Sequence, residues 1–432
     1  MNVEELVSAL TLEEKAGLCS GADFWHTKAV ERLGIPAIKV SDGPHGLRTQ
    51  KEGSTDPNDV IEAVCFPAGC AAAASFDPAL TRRMGAALGR EARASGVQVL
   101  LGPAVNIKRS PLCGRNFEYY SEDPYLAGEL AAGFIQGVQS EGVGTSIKHF
   151  AANNEEHNRF VCNPQISEKQ LREYYFPAFE MCVKEGKAAS IMSAYNALND
   201  VPCTLNPWLL QKVLRQDWGF QGYVVSDCGR PALLVNAHKY VKTKEAAATL
   251  SIKAGLDLEC GDDVYDGPLL NAYKQYMVSD ADIDSAAYHV LTARMKLGLF
   301  DSGERNPYTK ISPSVIGSKE HQQIALDAAR QCIVLLKNQK NRLPLNADKL
   351  KSIAVVGINA GKCEFGDYSG APVVEPVSIL QGIRNRVGDR VKVVYAPWKS
   401  AADGLELIQG ENFPEGLQAE YFDNTRLEGT PR

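Results

Sequence analysis

Acidic side chains follow several short apolar runs of this sequence, at the point where each run ends. Ser226 alone separates Asp227 from the run Tyr-Val-Val in GYVVSDCG, and Asp42 follows the apolar part of IPAIKVSDG. A carboxylate that projects from a strand end into a cleft is suited to nucleophilic attack or to binding hydroxyl groups. The alternative is that each Asp only stabilises the turn behind it. We take Asp227 as the candidate nucleophile and Asp42 as a candidate ligand-binding residue.

Three potential cations are grouped near a further run of this kind. Lys148 and His149 stand at the end of GTSIKHF, and Arg159 follows shortly in NNEEHNRF. Such groups donate hydrogen bonds to hydroxyls and, when charged, lower the pKa of a neighbouring carboxylate. Surface salt bridges are the alternative, and each of those contributes little to stability. The grouping favours a site in which cations hold a carboxylate ionised.

Motifs for cofactors, metals and a serine nucleophile are incomplete. IAVVGINAGK lacks both the G-x-G-x-x-G of a dinucleotide site and the Lys-Ser/Thr ending of a phosphate-binding loop. EEHNR departs from the zinc motif H-E-x-x-H, and the G-x-S-x-G turn of serine hydrolases is missing. We therefore expect no cofactor and no catalytic metal.

Short apolar runs alternate with longer amphipathic stretches between about residues 36 and 260. The runs are IPAIKVSDG, VQVLLGP, GTSIKHF, AASIMSAYN, GYVVSDCG and AGLDLEC. This alternation predicts an α/β fold with a mainly parallel sheet, and the six repeats of it indicate a (β/α)8 TIM-like barrel. Active sites of that architecture lie where the strands end. Polar residues stand at those ends here, including Tyr195 beside those already named.

The chain divides into several predicted parts. Residues 1–300 are the barrel, 301–318 are a linker rich in Gly, Pro and Ser, and 319–412 are the first part of an α/β sandwich domain. The sandwich is expected to contain a helix in HQQIALDAARQCIVLLKN and a strand in SIAVVG. Residues 413–432 are predicted to be the start of a β-rich module.

Composition excludes several classes of protein. The 432 residues include 44% hydrophobic and 23% charged residues, values of an ordinary globular chain. The formal net charge of −6, without a run of Lys and Arg, argues against nucleic acid as a partner, and no apolar stretch is long enough to cross a membrane. The 11 cysteines include no C-x-x-C pair, and the amino terminus lacks the features of a signal peptide, so we expect a cytoplasmic location.

Blocks spread over nearly the whole chain resemble glycoside hydrolase family 3. They are, in order, TLEEKAGLCSGADFWH, SDGPHGLR, CFPAG, LGPAVNIKRSPLCGRNFEYYSEDP, SIKHFAANNEEHNR, IMSAYN, GYVVSDCG and AARQCIVLLKN. Within the family, the sequence is most similar to those of bacterial β-glucosidases with a PA14-like insertion. EGLQAEYFDNTRLEG resembles the first strand of that insertion. The resemblance implies a retaining exo-β-glycosidase, most simply a β-glucosidase acting on terminal non-reducing glucosyl residues of β-linked oligosaccharides or aryl glycosides.

The resemblance also implies a role for individual residues. Asp227 in VVSDCG matches the family's nucleophile. The residues that match the family's sugar-binding positions are Asp42, Arg115, Lys148, His149, Arg159 and Tyr195. In a retaining mechanism the nucleophile and the acid/base partner stand about 5–5.5 Å apart.

The acid/base residue has no counterpart in this chain. In relatives with a PA14-like insertion the acid/base Glu follows the insertion, so we expect it beyond this chain, which would then be truncated at the start of the insertion. The Asp-His pair that other family members use is missing from KHFAANNEEHNR. The expected partners are therefore the substrate and either a second copy of the chain or a complementary C-terminal fragment.

Cys228 leaves the substrate open. Many β-glucosidases of the family carry Trp after the nucleophile, whereas Cys is frequent in β-xylosidases, which EFGDYSGAP also resembles. A β-xylosidase is thus an alternative within the family. A sugar-binding protein without turnover and a phosphorylase are the alternatives from other classes.

Overall fold

The structure is a computed structural model that describes residues 2–56, 58–261, 264–301, 305–365 and 367–397, together with Arg426, Gly429 and Thr430. The chain divides into two compact units. The first unit comprises Met1–Lys337 and Phe365–Glu375, and the second comprises Asn338–Glu364 and Pro376–Arg432. The candidate nucleophile and its predicted partners all belong to the first unit.

Strands and helices alternate along most of the described chain. The strands are β1 (Val40–Asp42), β2 (Glu62–Ala63), β3 (Val99–Leu101), β4 (Gly144–Phe150), β5 (Ser190–Ser193), β6 (Ala197–Leu198), β7 (Val201–Pro202), β8 (Tyr223–Ser226), β9 (Ser352–Val356), β10 (Ala371–Pro372) and β11 (Lys392–Ala396). The α-helices are α1 (Val3–Ala9), α2 (Leu12–Leu18), α3 (Gly69–Ala73), α4 (Pro78–Ala94), α5 (Pro124–Gln139), α6 (Glu168–Gln170), α7 (Pro177–Lys184), α8 (Arg230–Asn236), α9 (Lys244–Ala254), α10 (Gly267–Lys274), α11 (Asp280–Lys296), α12 (Lys319–Gln331) and α13 (Ile379–Val387). None of the described helices is both long enough and apolar enough to span a membrane.

Shorter helical segments connect these elements. Leu171–Tyr175 and Trp208–Asp217 have π-helical hydrogen bonding. The 3-10 turns are Glu31–Leu33, Cys203–Leu205, Pro307–Lys310, Pro313–Val315, Gln339–Asn341, Ala347–Lys349, Ile358–Ala360 and Gly388–Arg390.

A five-stranded parallel sheet forms the centre of the first unit. Its order is β1-β3-β4-β5-β8, so each strand lies beside the next one of the set along the chain. This confirms the predicted α/β fold with parallel strands. The sixth apolar run, AGLDLEC, contributes single bridges rather than a strand, with Leu258 opposite Val225 and Glu259 opposite Ser20. Closure of the sheet into a TIM-like barrel stays a prediction.

Strand β4 carries two of the predicted site residues. All seven of its residues are buried, as expected for a central strand covered on both faces. Its pairing with β5 shifts register between Ile147 and Phe150, which encloses Lys148 and His149. Irregularities of this kind bend a strand and redirect its side chains.

Helices α4 and α5 pack closely beside the sheet. Asp77 caps α4 by accepting a hydrogen bond from the Ala79 N–H, directly before Pro78 at the first helical position. A Cβ atom on Gly85 would collide with the Phe134 carbonyl, and one on Gly137 would collide with the Arg82 carbonyl. Glycine therefore allows the two backbones to approach.

The segment predicted as an interdomain linker belongs to the first unit together with α12. A buried carboxylate explains this difference. Glu91 accepts hydrogen bonds from the Val64 N–H at 3.0 Å and from the Gly317 N–H at 2.9 Å, and its Oε1 lies 2.9 Å from His321 Nδ1. These contacts hold the segment and α12 against α4.

Helix α12 is shorter than the sequence suggests. It ends at Gln331, whereas the prediction extended the helix through IVLLKN. The β-branched residues Ile333 and Val334 follow this end, and such residues favour extended backbone over helix. Ile333 and Leu336 are largely exposed.

The described part of the second unit contains the parallel strands β9 and β11 and the α-helix α13. Strand β9 pairs with β11 in the register Ser352 to Lys392, which confirms the strand predicted in SIAVVG. Helix α13 precedes β11 and begins after Ser378, whose side chain accepts a hydrogen bond from the Gln381 N–H. The β-rich module predicted at 413–432 lies outside the described residues except for Arg426, Gly429 and Thr430.

Candidate functional site

A cavity of about 170 Å³ lies in the first unit where the parallel strands end. All seven residues predicted from the sequence line it, namely Asp42, Arg115, Lys148, His149, Arg159, Tyr195 and Asp227. A larger cavity of about 380 Å³ lies at the opposite ends of β4, β5 and β8, next to Gly144, Ala189 and Gly222. We assign the chemistry to the smaller cavity because titratable groups converge there.

Asp227 follows β8 directly and is 9% exposed. Its Oδ1 accepts a hydrogen bond from the Cys228 N–H at 2.9 Å, and its Oδ2 lies 3.7 Å from His149 Nε2. Burial raises the pKa of Asp227 above its usual value, while Arg115, the Cys228 N–H, Lys148 and Arg159 act in the opposite direction. The cations therefore reduce the rise in the pKa of Asp227 that burial causes, but they do not cancel it.

His149 is a neutral imidazole, which differs from the cation expected from the sequence. Its Nε2 lies 3.1 Å from Arg115 Nη2. Because a guanidinium group only donates, Nε2 must accept this hydrogen bond. Burial, together with Arg115, Lys148 and Arg159, lowers the pKa of His149 well below its usual value. The positive charges of the site are therefore carried by the lysine and the two arginines.

Lys148 is 2% exposed and lies between two carboxylates. Its Nζ is 3.5 Å from Asp42 Oδ1 and 3.8 Å from Glu118 Oε2. Burial lowers the pKa of Lys148, but Glu118 and Asp42 more than compensate, so that the pKa is raised overall. Asp42 Oδ2 in turn lies 3.3 Å from Arg48. Lys148 therefore stays charged, and Asp42 contacts two cations at the edge of the cavity.

Arg159 and Tyr195 form a further wall of the cavity. The guanidinium carbon of Arg159 lies 4.5 Å from the centre of the Tyr195 ring, and its Nη1 is 2.8 Å from Glu156 Oε2. The Tyr195 hydroxyl donates to the Cys228 carbonyl at 2.7 Å. Burial and the nearby Asp227 raise the pKa of Tyr195, so this phenol stays protonated.

Sequence reasoning did not assign several other residues that the structure places at the site. Trp25, Leu101, Met192 and Tyr368 also line the cavity. Cys228 lines it as well, with its Sγ 3.2 Å from Cys260 Sγ. Trp25, Leu101, Met192 and Tyr368 lie in segments that carry the family resemblance, but nothing in the sequence gave these residues an individual role, whereas Cys228 was marked by its position beside Asp227.

Glu118 is a buried positioning group that the sequence also left unassigned. Its side chain is 0% exposed and forms an ion pair with the Nε of Arg115. Because Glu118 also lies near Lys148, it connects two cations of the site. The motif GRNFE contains Glu118 three residues after Arg115, a spacing that would have suggested the pair on a helical turn.

Comparisons with known proteins give a consistent family. Residues 9–293 match the glycosyl hydrolase family 3 N terminal domain, and residues 333–427 match the glycosyl hydrolase family 3 C-terminal domain. A thermostable beta-glucosidase B from Acetivibrio thermocellus is 42% identical over 451 residues, which cover 99% of this chain and 56% of the relative. An exo-alpha-(1->6)-L-arabinopyranosidase from Bifidobacterium longum is 37% identical over 453 residues, which cover 98% of this chain and 56% of the relative.

A solved structure has the same fold. Beta-glucosidase 3B from Thermotoga neapolitana, in complex with alpha-D-glucose, superimposes with a TM-score of 0.76 and 35% identity, over 91% of this chain and 55% of that one. The chain spans little more than half the length of the curated relatives named here. It belongs to glycosyl hydrolase family 3.

Proposed function

We propose that this chain is the nucleophile-bearing part of a retaining exo-β-glycosidase that acts on terminal non-reducing β-D-glucosyl residues. The observation that carries the proposal is the convergence of Asp227 with a lysine, two arginines and a neutral histidine in one cavity at the strand ends. Both matched family domains and the printed names of the relatives support a glycosidase.

In the proposed reaction Asp227 attacks the anomeric carbon and forms a covalent glycosyl-enzyme, which water then hydrolyses with net retention. The Cys228 N–H holds Oδ1, so Oδ2 is the oxygen available for attack. Burial raises the pKa of Asp227 and thereby makes the ionised carboxylate more basic. Arg115, Lys148 and Arg159 limit this rise, which keeps the attacking form populated.

The remaining polar groups are suited to hold the hydroxyls of one pyranose. Lys148 and Arg159 only donate hydrogen bonds, and ionised Asp42 only accepts them. Because a sugar hydroxyl can both donate and accept, such a mixed set can satisfy several hydroxyls at once. Each contact would also fix the orientation of the anomeric carbon relative to Asp227.

No described residue is assigned as the general acid. Asp42 lines the cavity and is paired with Arg48, and Glu118 and Glu156 are paired with the lining residues Arg115 and Arg159. We place the acid/base Glu outside this chain, as the family resemblance implies. Turnover of substrates with poor leaving groups would then need that second part of the protein.

The proposal includes further features of the whole protein. The parallel sheet and the bridges from Leu258 to Val225 and from Glu259 to Ser20 support a closed TIM-like barrel. The family resemblance supports a PA14-like module that starts near residue 413. Free thiols at all 11 cysteines are compatible with a cytoplasmic location. A second copy of the chain or a complementary C-terminal fragment is the proposed protein partner.

Covalent trapping tests the nucleophile without the general acid. A 2,4-dinitrophenyl 2-deoxy-2-fluoro-β-glucoside carries a leaving group that departs without protonation, so it should add one fluoroglucosyl group to the peptide that contains Asp227. Asp227→Asn should abolish the label, and the control Asp42→Asn should weaken binding while the label stays on Asp227. A chain that binds glucose but never gains the mass would be a sugar-binding protein instead.

A pentopyranoside, above all a β-xyloside, is the second candidate substrate. Cys228 lines the cavity where a Trp would stack on the sugar, and one relative is named for an arabinopyranoside. The kcat/KM values for dinitrophenyl glucoside, xyloside and arabinopyranoside would rank the candidates. Product analysis with and without inorganic phosphate would identify a phosphorylase.

A further inference from the structure

We infer that Tyr368 is a specificity-determining residue whose ring closes the Asp42 side of the cavity and confines it to a terminal sugar. The inference rests on the proposed function and deepens it. Tyr368 lines the same cavity as Asp227 although the two are far apart in the chain. Its ring is close to Lys148 and Arg115, whereas the contacts of Asp227 are with Cys228 and His149.

The backbone around Tyr368 is fixed to the catalytic unit. Strand β10, which follows Tyr368, pairs in parallel with β2, and the Ala371 N–H donates to the Ile61 carbonyl at 3.1 Å. Gly370 approaches the Leu47 carbonyl so closely that a Cβ atom could not be accommodated without movement. These contacts attach the segment Phe365–Glu375 to the rest of the first unit.

Tyr368 itself has an unusual backbone conformation. Its φ of 60° lies in the left-handed region, which bulky residues rarely adopt. The exposed Tyr276 has the same φ, so the ring contacts of Tyr368, and not its backbone conformation, point to a role in the cavity. A glycine would adopt this φ without strain, so the aromatic side chain needs a reason of its own.

The ring covers the cations of the site. Lys148 Nζ lies 4.3 Å and the Arg115 guanidinium carbon 5.1 Å from its centre, and Arg48 lies at 5.8 Å. On a further side the ring stacks against Phe117, with centroids 6.3 Å apart and planes 12° from parallel. The aromatic face attracts the cations and restricts the access of water to them. Their N–H groups are thereby kept available for the hydroxyls of a bound sugar.

This placement predicts how the substrate is selected. When the anomeric carbon faces Asp227, the hydroxyls farthest from it, on C3 and C4, face the Asp42 side of the cavity. A sugar that carries a substituent on O4 would need the space that the Tyr368 ring occupies. The ring should therefore exclude internal residues of a glycan and admit the non-reducing end.

Paired substrates test the inference with the full chain. The probes are 2,4-dinitrophenyl β-glucoside and its 4-O-methyl derivative, and the readout is the ratio of their kcat/KM values. Tyr368→Ala should reduce the discrimination against the 4-O-methyl compound by about tenfold or more. Tyr368→Phe keeps the ring and should retain the discrimination of the parent protein. The surface variant Tyr276→Ala is the matched control, because Tyr276 is 96% exposed.

The outcome separates this inference from the proposed function. Fluoroglucosyl labelling of Asp227 in Tyr368→Ala verifies that the site of the variant is folded. If the label forms and discrimination stays at the parent value, Tyr368 does not select the substrate and the inference is wrong. If the parent chain itself takes no label, the proposed function has failed, and direct binding of glucose and 4-O-methylglucose to the same variants then tests the closing role of the ring.

Discussion

Replacement of Glu118 by glutamine would remove one buried charge and little else. The two side chains are nearly equal in size, and the amide oxygen can still accept a hydrogen bond from Arg115. Glu118 is 0% exposed, and its Oε1 is paired with Arg115. Its Oε2 has no hydrogen-bond partner among the described residues but lies 3.8 Å from Lys148 Nζ. The substitution therefore tests how strongly the two buried cations depend on this carboxylate.

The expected loss of stability follows from these contacts. Removing one member of a buried ion pair typically destabilises a protein by about 3–5 kcal/mol. Lys148 keeps Asp42 at 3.5 Å, and Arg115 keeps the more distant Glu156 at 3.9 Å. We therefore expect the lower end of the range, about 3 kcal/mol at pH 7. This is a large share of the roughly 5–15 kcal/mol that stabilises a typical domain.

The pH dependence gives a second, independent signature. The pKa of Lys148 is raised in the folded protein, because Glu118 and Asp42 more than offset burial. A raised lysine pKa stabilises the fold below the pKa of the unfolded chain, about 10.4, and this contribution is lost as pH rises through the folded value. Without Glu118 the folded pKa falls. The deficit of the variant should thus be complete at pH 7 and smaller above pH 10.

Urea denaturation at pH 7 and above pH 10, followed by tryptophan fluorescence, would measure this deficit. Glu156→Gln is the matched control, because Glu156 is only half-buried and its partner Arg159 is also partly exposed. That variant should lose no more than about 1 kcal/mol. A deficit below about 1 kcal/mol for Glu118→Gln at pH 7, or one that grows with pH, would refute the reasoning.

Three further expectations concern charge and burial. In the parent protein, kcat/KM for a dinitrophenyl glycoside should fall as the pH is lowered, with an apparent pKa above 3.8, because burial raises the pKa of Asp227. A profile that stays flat down to pH 4 would contradict this. Asp227→Asn should abolish this turnover and also raise the Tm at pH 7, since a carboxyl with a raised pKa destabilises the fold when ionised; calorimetry showing a lower Tm would argue against it. Glu91→Ala should reduce the free energy of unfolding by about 3–5 kcal/mol, because the Val64 and Gly317 N–H groups and His321 lose their buried acceptor. A loss of less than about 1 kcal/mol in a urea titration would contradict this.

The order of the elements made much of the site accessible from the sequence. Apolar runs with polar residues at their ends predicted parallel strands, and the ends of parallel strands meet at one edge of a sheet. Asp42, Lys148, His149, Tyr195 and Asp227 could be grouped on that basis alone. Arg115 needed the family resemblance, because it stands in a loop that no periodicity marks.

Other features depend on long-range packing, which sequence patterns do not encode. Tyr368 stands in a segment of the first unit that follows the residues 338–364 of the second unit in the chain. The charge of His149 depends on burial next to Arg115 and Lys148, so residue type alone suggested the wrong protonation state. The expected linker joins the first unit because Glu91, many residues earlier, binds Gly317.

The register shift in β4 has a consequence for any attempt to transplant this site. Consecutive residues of a regular strand point to opposite faces, yet Lys148 and His149, which are neighbours in the chain, both line the cavity. The shift between Ile147 and Phe150 coincides with this departure. Grafting the two side chains onto an ideal strand of another scaffold would present only one of them, so the irregular backbone has to be transferred along with the residues.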